Sequence, residues 1–349
     1  MRVVLAGSFE PGAIAESYRR ALTACGCTVS TFDFNAEPVR DRRLQWLRRR
    51  PLIGGLLEDK VLEQLNYELS DRLHQERPDL LLTNNGTFLL PGTLAAARQY
   101  GCATANLWGE PLLHLNRWNI IPSLPFYDVV FAFDRAQISA LERAGASRVE
   151  HLPLAWDPHL HPGDGTFTGA ELARFQADLV FIGKWSPERE RRLTPLAHHD
   201  LAIWGDRGWK DLTAPGSPLR SRWRGRPVVG REYALACAAA KICLNLVEPA
   251  AQESANMRTF ELAGMGRFVL APRNQAHEEL FVEGEEIELF STPEELRAKV
   301  ERYLTQPTER EAIGRAARRK VAAQHTYEHR ARRIVEAIEG RARLRSRAA

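Results

Sequence analysis

The stretch DLVFIGKWSPERERRL, Asp178 to Leu193, holds a short unbroken apolar run, a glycine, and a helix opened by Ser186-Pro187. An apolar run without alternation reads as a strand buried on both faces of a sheet. The step straight from it into a helix reads as the start of a β–α–β crossover. Downstream the pattern continues through LAIW, a helix over Tyr233–Ala240, KICLNL, a helix over Asn256–Ala263, RFVLAP and EIELF. Two helices close the series, each with a Thr cap three residues ahead of a Glu, at Thr292-Pro293-Glu294-Glu295 and Thr308-Glu309-Arg310-Glu311.

Upstream the same alternation has already run once. RVVLA precedes a helix over Ile14–Thr23. TVSTFDF is followed by a long helix over Leu57–Glu76, DLLLT by a helix over Thr93–Tyr100, then ATANLW, and YDVVFAF by a helix over Ala136–Ala144. Between the two series, HLHPGDGTFTGAELARFQ is polar and rich in turn residues, the composition of a connection. The fold class expected is α/β, with two Rossmann-like, doubly wound domains facing a cleft. The boundaries are 1–160 for the first domain, 161–177 for a linker, 178–325 for the second domain, and 326–349 for a C-terminal helix and basic tail. Ligands of open α/β sheets bind beyond the carboxyl ends of the strands, so the candidate residues are those that end strands.

Composition agrees with this architecture. A chain of 349 residues exceeds what one core usually organises. With 44% hydrophobic and 26% charged residues it has the balance of an ordinary globular protein. Five cysteines, Cys25, Cys27, Cys102, Cys237 and Cys243, show no paired C-x-x-C spacing and read as reduced core residues. The apolar run in MRVVLAGSFEPG is short for a signal peptide, and no stretch approaches the roughly 18 apolar residues of a membrane span. A cytoplasmic protein is expected. Net charge is only +4, and no nucleic-acid partner is expected, but arginines cluster at RDRRLQWLRRR, Arg40–Arg50, and RARLRSR, Arg341–Arg347. Such clusters attract phosphates or the surface of an anionic membrane, where peripheral contact is one reading and plain solvated faces the other.

Two segments of the second domain concentrate the chemistry. In FIGKWSPERERRL, Gly183 lets a ligand approach the backbone at the strand end. Lys184, Arg189 and the start of the helix all present positive potential there, suited to a diphosphate. Pairing of Arg189 with Glu188 or Glu190 is the competing explanation. In EPAAQESANMRTFELAGMGRFVLAP, Glu253 and Glu261 stand with seven residues between them. Glu261 falls inside an otherwise apolar helix, where a carboxylate is costly unless donors meet its oxygens. The vicinal hydroxyls of a ribose are such donors.

The blocks FIGKWSPERERRL, LAIWGDRGW, VVGREYALACAAAKICLNL, NMRTFELAGMGRFVLAP and ELFVEGEEIELFSTPEELRAKVERYL together resemble the CgeB-like (spore maturation protein) glycosyltransferases. These are relatives of the retaining GT-B group 1 glycosyltransferases with the E-x7-E motif. The resemblance covers residues 175 to 330 well and the first half more loosely. It implies a GT-B fold, with Glu261 as the ribose ligand and Glu253 as a contact to the donor sugar or its phosphate. It also implies Lys184 and Arg189 as the basic diphosphate ligands, and the amides of Asn256, Met257 and Arg258 at a helix start facing the diphosphate. Gly183 and Gly205, the latter in LAIWGDRGW, join them as donor-binding positions. Glu253, Arg189 and Lys184 are the expected catalytic residues. One departure stands out: the glycine-rich stretch usual after the first Glu is replaced here by Ser254-Ala255-Asn256-Met257-Arg258.

The activity implied is transfer of a sugar from a nucleotide diphosphate donor, such as a UDP-, GDP- or dTDP-sugar, to an unknown acceptor, with retention. The chain has no D-x-D, and His151, His159 and His161 show no zinc spacing, so no metal and no cofactor are expected. In the first domain the loop Ala6–Ala13 after the first strand is a candidate to approach donor or acceptor across the cleft, while Asn84-Asn85-Gly86-Thr87 and Trp108-Gly109-Glu110 end strands and are candidate acceptor contacts, or ordinary turn and cap residues. Asp33 alone is a thin reason for a dinucleotide. A GT-B epimerase and a non-catalytic binding or structural protein are the remaining alternatives.

Overall fold

The computed structural model describes residues 1–10, 12–35, 54–110, 120–163, 166–247 and 254–348, apart from the side chains of 54–58 and 341–348. The chain divides into two compact units, Met1–Pro153 with Tyr327–Ala349, and Leu154–Thr326.

The first unit carries six parallel strands: β1 (Arg2–Gly7), β2 (Thr28–Asp33), β3 (Leu80–Asn84), β4 (Ala103–Trp108), β5 (Val129–Ala132) and β6 (Val149–His151), in the order β2-β1-β3-β4-β5-β6. Register is continuous across the centre, with Val3 opposite both Val29 and Leu80. Helices at Ile14–Ala24, Gly54–Glu76, Pro91–Gln99 and Ile138–Arg143 form the crossovers, close to the expected spans. Side chains at alternate strand positions, Val4, Ala6, Leu81 and Val130, enter one core with Leu65, Leu69 and Leu73 of the long helix. The opposite positions, Val3, Leu5, Leu80 and Leu82, are equally buried, so both faces are covered.

The second unit has five parallel strands: β7 (Ala177–Ile182), β8 (Leu201–Trp204), β9 (Ala240–Leu244), β10 (Val269–Pro272) and β11 (Glu288–Phe290), in the order β11-β10-β9-β7-β8. Val180, Ile182 and Cys243 face one core, while Leu179, Phe181 and Leu244 face the other. Helices at Pro187–Leu193, Gly230–Ala238, Met257–Gly264, Gln275–Leu280, Pro293–Leu304 and Pro307–Gln324 complete it. Thr292 caps its helix through the Glu295 N–H as expected. Thr308 does not cap: that helix starts at Pro307, whose missing N–H suits the first helical position.

Two spans lie differently from the linear division. Residues 154–177 pack with the second unit: Leu154, Phe167 and Phe175 lie on its core, and the Gly169–Ala173 helix pairs Glu171 with Arg231. Their apolar anchors are hidden in the sequence among turn residues. The closing helix, Tyr327–Ala348, returns to the first unit, where Tyr327 meets Tyr18 edge-on at 5.0 Å and Arg330 Nε donates to the Pro153 carbonyl at 2.7 Å. Of the two arginine clusters, Arg40–Arg50 lies outside the described residues and Arg341–Arg347 falls within this helix. Among the described residues no helix is long and apolar enough to cross a membrane.

Candidate functional site

In the second sheet the chain leaves β7 for β8 on one side, then crosses back to β9 on the other, so strand order reverses between β7 and β9. Loops diverge at such a reversal and leave room at the carboxyl ends of the two strands. Gly183 and Lys184 follow β7 there, and Asn245 and Leu246 follow β9.

The loop after β7 is built around close backbone approach. Ser186 Oγ accepts the Arg189 N–H at 3.3 Å, capping the Pro187–Leu193 helix, and the Trp185 N–H donates to Asp206 Oδ1 at 3.0 Å. A Cβ at Gly183 would stand 2.8 Å from the Phe181 ring. A Cβ at Gly205, which follows β8, would stand 2.1 Å from the Gly183 carbonyl oxygen, so Gly205 is a glycine for the packing of two neighbouring strand ends.

Lys184 and Arg189, expected as a pair, have different surroundings. Lys184 is exposed, and its ammonium has no partner among the described residues. Arg189 is buried and bridges two loops: Nε and Nη2 donate to the Leu246 carbonyl at 3.1 and 2.8 Å, and Nη1 donates to the Lys184 carbonyl at 3.0 Å. Its guanidinium lies 5.4 Å from the Phe181 ring centre. The neighbouring acids are engaged elsewhere, Glu188 with Arg191 and Arg192, and Glu190 with the Trp185 indole and the Ala214 N–H.

Asn256 caps the Met257–Gly264 helix, its Oδ1 accepting the Thr259 N–H at 3.1 Å, with the Met257 and Arg258 amides in the first turn. A directed chain of hydrogen bonds fixes this cap. Asn256 Nδ2 donates to Asn245 Oδ1 at 3.0 Å, and Asn245 Nδ2 donates to Thr259 Oγ1 at 2.9 Å. The Thr259 hydroxyl lies 3.0 Å from His277 Nε2, and His277 Nδ1 lies 2.8 Å from the Pro272 carbonyl. That carbonyl can only accept, which places the hydrogen on Nδ1 and leaves Nε2 to accept from Thr259. Burial holds the His277 imidazole below its ordinary value, in keeping with a neutral ring. Asn245, Thr259 and His277 are fully buried, and the linear pattern gave no reason to single them out.

Glu261 lies one turn further along, 6% exposed within an apolar helix. Its Oε1 is 3.6 Å from His161 Nδ1, beyond hydrogen-bond length. His161 Nδ1 and, on the same helix as Glu261, Arg258 Nε are among the buried polar atoms of the described residues that have no hydrogen-bond partner, and the Tyr233 hydroxyl lies close enough to interact with Glu261. Burial, and after it the Glu261 charge, pushes the Tyr233 phenol well up, so it keeps its proton. Glu253 lies outside the described residues.

A groove of about 610 Å³ opens at the other end of this sheet, lined by Ala177, Ala240, Lys241, Arg267 and Arg310. Its cations are occupied, Lys241 with Asp178 at 2.7 Å and Arg267 with the Met265 carbonyl at 3.1 Å, so they cap helix ends and balance a carboxylate. In the first unit strand order reverses between β1 and β3. Asn85 ties the loops after β3 and β4 together, accepting the Gly109 N–H at 2.9 Å from a left-handed backbone with φ 64°. Asp33 Oδ1 accepts the Asn35 N–H at 2.9 Å, a turn contact.

Residues 189–336 match the family described as glycosyl transferase-like, a stretch that opens at Arg189 and contains Glu261. No curated protein matches the sequence significantly. Among solved structures, sucrose-phosphate synthase (tll1590) from Thermosynechococcus elongatus is similar at a TM-score of 0.67 and 14% identity, covering 100% of each chain. A glycosyltransferase from Rickettsia africae ESF-5 is similar at 0.66 and 12%, covering 97% of this chain and 98% of that one. Anabaena Alr3699/HepE, in complex with UDP and glucose, is similar at 0.63 and 14%, covering 97% and 100%. At these identities the likeness is one of fold. The two parallel sheets match those of the GT-B glycosyltransferase structures, and residues 189–336 are similar to the glycosyl transferase-like family.

Proposed function

We propose that this protein transfers a sugar from a nucleotide diphosphate donor to an acceptor, with retention and without a metal ion, and that the donor binds at the carboxyl ends of β7 and β9. The observation that carries this reading is Glu261, a buried carboxylate in an apolar helix that makes no ion pair of hydrogen-bond length among the described residues, just after a capped helix start. A ribose diol supplies two donors to its oxygens, and the diphosphate then lies toward the amides of Asn256, Met257 and Arg258. As the bond from the sugar to the phosphate breaks, its electron pair stays on the diphosphate. The main demand is to stabilise that charge. Lys184 meets it with an ammonium that has no partner among the described residues, while Arg189 fixes the two loops and adds its charge to them. Glu253 contacts the donor sugar or its phosphate in this reading, and Gly183 and Gly205 keep the strand ends low enough for the ligand to approach.

The Anabaena protein is described with UDP and glucose bound, so a UDP-sugar is the first donor to try. A cytoplasmic location, and peripheral contact of the arginine clusters with an anionic membrane surface, belong to the same proposal. The test incubates purified protein with UDP-, GDP- and dTDP-sugars and follows both nucleotide and sugar. Release of the nucleotide with the sugar attached to an acceptor, α-configured from an α-donor, is expected. Free epimerised sugar would turn the assignment to an epimerase. Absence of any nucleotide binding would refute it outright.

A further inference from the structure

His161 comes to Glu261 by a specific route. The Trp156 ring packs against the Met257–Gly264 helix where Gly264 has no side chain, since a Cβ there would stand 2.3 Å from the ring. Trp156 Nε1 then donates to the His161 carbonyl at 2.8 Å, and the His161 N–H donates to the Asp157 carbonyl at 2.9 Å. This turn delivers the imidazole to Glu261, which shares a helix face with Gly264. The ring is 5% exposed and meets Tyr233 edge-on at 4.9 Å. Three buried polar groups from three separate segments, His161 Nδ1, the Tyr233 hydroxyl and the Glu261 carboxylate, thus share one small region, where Tyr233 interacts with Glu261 while His161 Nδ1 is left without a hydrogen bond. A purely structural contact would have closed the bond between His161 and Glu261, because an unpaired polar group in a dry interior is costly. A closure of under an ångström brings Nδ1 from 3.6 Å to ordinary hydrogen-bond length of Oε1.

We propose that His161 is a positioning residue of the donor site, which donates from Nδ1 to Glu261 Oε1, beside the Tyr233 hydroxyl, and so sets the carboxylate to receive the ribose hydroxyls. This rests on the assignment of Glu261 to the ribose of a nucleotide donor. Arg258, one turn earlier on the same helix, is the cation nearest in sequence to this carboxylate.

The test measures calorimetric affinity for UDP and 2′-deoxy-UDP, and for GDP and 2′-deoxy-GDP, with wild type and variants whose melting temperatures match it. His161→Phe keeps the ring against Tyr233 but loses the donor. It should weaken ribonucleotide binding about tenfold while leaving the deoxy form nearly unchanged, so that discrimination by the 2′-hydroxyl narrows. His161→Asn places its amide nitrogen where Nδ1 stood and should recover most of the loss. His161→Gln, which reaches the Nε2 position instead, should behave as Phe does and serves if the Phe variant does not fold. In a Glu261→Ala background the His161 change should add nothing. Unaltered discrimination in folded His161→Phe, or additive losses in the double variant, would overturn the inference while leaving the nucleotide assignment standing. Wild type that binds none of the four nucleotides would instead remove the assignment on which it rests.

Discussion

Arg189→Ala and Lys184→Ala are expected to fail in different ways, although the two residues look like one pair in the sequence. Removing the Arg189 side chain leaves the Leu246 carbonyl without the donors at 3.1 and 2.8 Å, and the Lys184 carbonyl without the one at 3.0 Å. An unsatisfied buried acceptor costs about 1–3 kcal/mol, and the guanidinium over Phe181 adds about 0.5–1 kcal/mol. The hydrogen bond to the Lys184 carbonyl is only part-buried, which softens its loss, so the second unit should lose about 2–4 kcal/mol of stability. The loss should appear as faster hydrogen exchange in peptides covering Ala177–Ile182 and Ala240–Leu244, the strands whose ends Arg189 ties together. Arg189→Lys recovers little of it, because one ammonium cannot span both carbonyls in the forked geometry. Lys184→Ala, an exposed change, should shift stability by less than about 0.5 kcal/mol. It should lower turnover more than it raises the Michaelis constant for donor, by about 2–4 kcal/mol in the barrier if Lys184 stabilises the leaving diphosphate. Full native exchange protection in Arg189→Ala, together with abolished nucleotide binding, would refute this division of labour and make Arg189 a ligand residue first.

Glu261→Ala should weaken nucleotide-sugar binding roughly tenfold to a hundredfold, the worth of a hydrogen bond to a charged group; unchanged affinity in a folded variant would rule out the ribose contact. Transfer should persist in excess EDTA, and complete loss restored by manganese or magnesium would reject a metal-free mechanism. The pH dependence of stability should carry a mark of His277. Burial lowers its folded value, so the unfolded chain takes up the proton first as pH falls below about 6.5, and stability present above that pH is lost on acidification. His277→Gln should flatten melting temperature against pH over that window, and an unaltered slope would mean that another group is responsible.

How far the sequence reached follows from the range of each interaction. Unbroken apolar runs mark strands buried on both faces, so most strands were legible, as was the repetition of the series that makes two units, whereas the short strand Val149–His151, which has a single apolar residue, and the order of strands within each sheet were not. Glu261 was legible for a related reason: a carboxylate in an apolar helix conflicts with its neighbours, and local conflict is readable without coordinates. Ser186 and Asn256 as helix caps likewise depend on residues three positions away.

Tertiary structure alone separated Arg189 from Lys184, since the acceptor that holds Arg189 is the Leu246 carbonyl on another strand's loop. It alone explained Gly205, whose side chain is forbidden by the carbonyl of Gly183 across the sheet, and it placed Phe167 and Phe175 on a core that their polar surroundings concealed. It also brought His161 to Glu261 and joined Asn245, Thr259 and His277 into one chain of hydrogen bonds. Helix and strand periodicity is set by neighbours along the chain and is therefore written in the order of residues. The partner of a buried polar group is chosen by which strand ends the packed sheet sets side by side, and that choice exists only once the chain has folded.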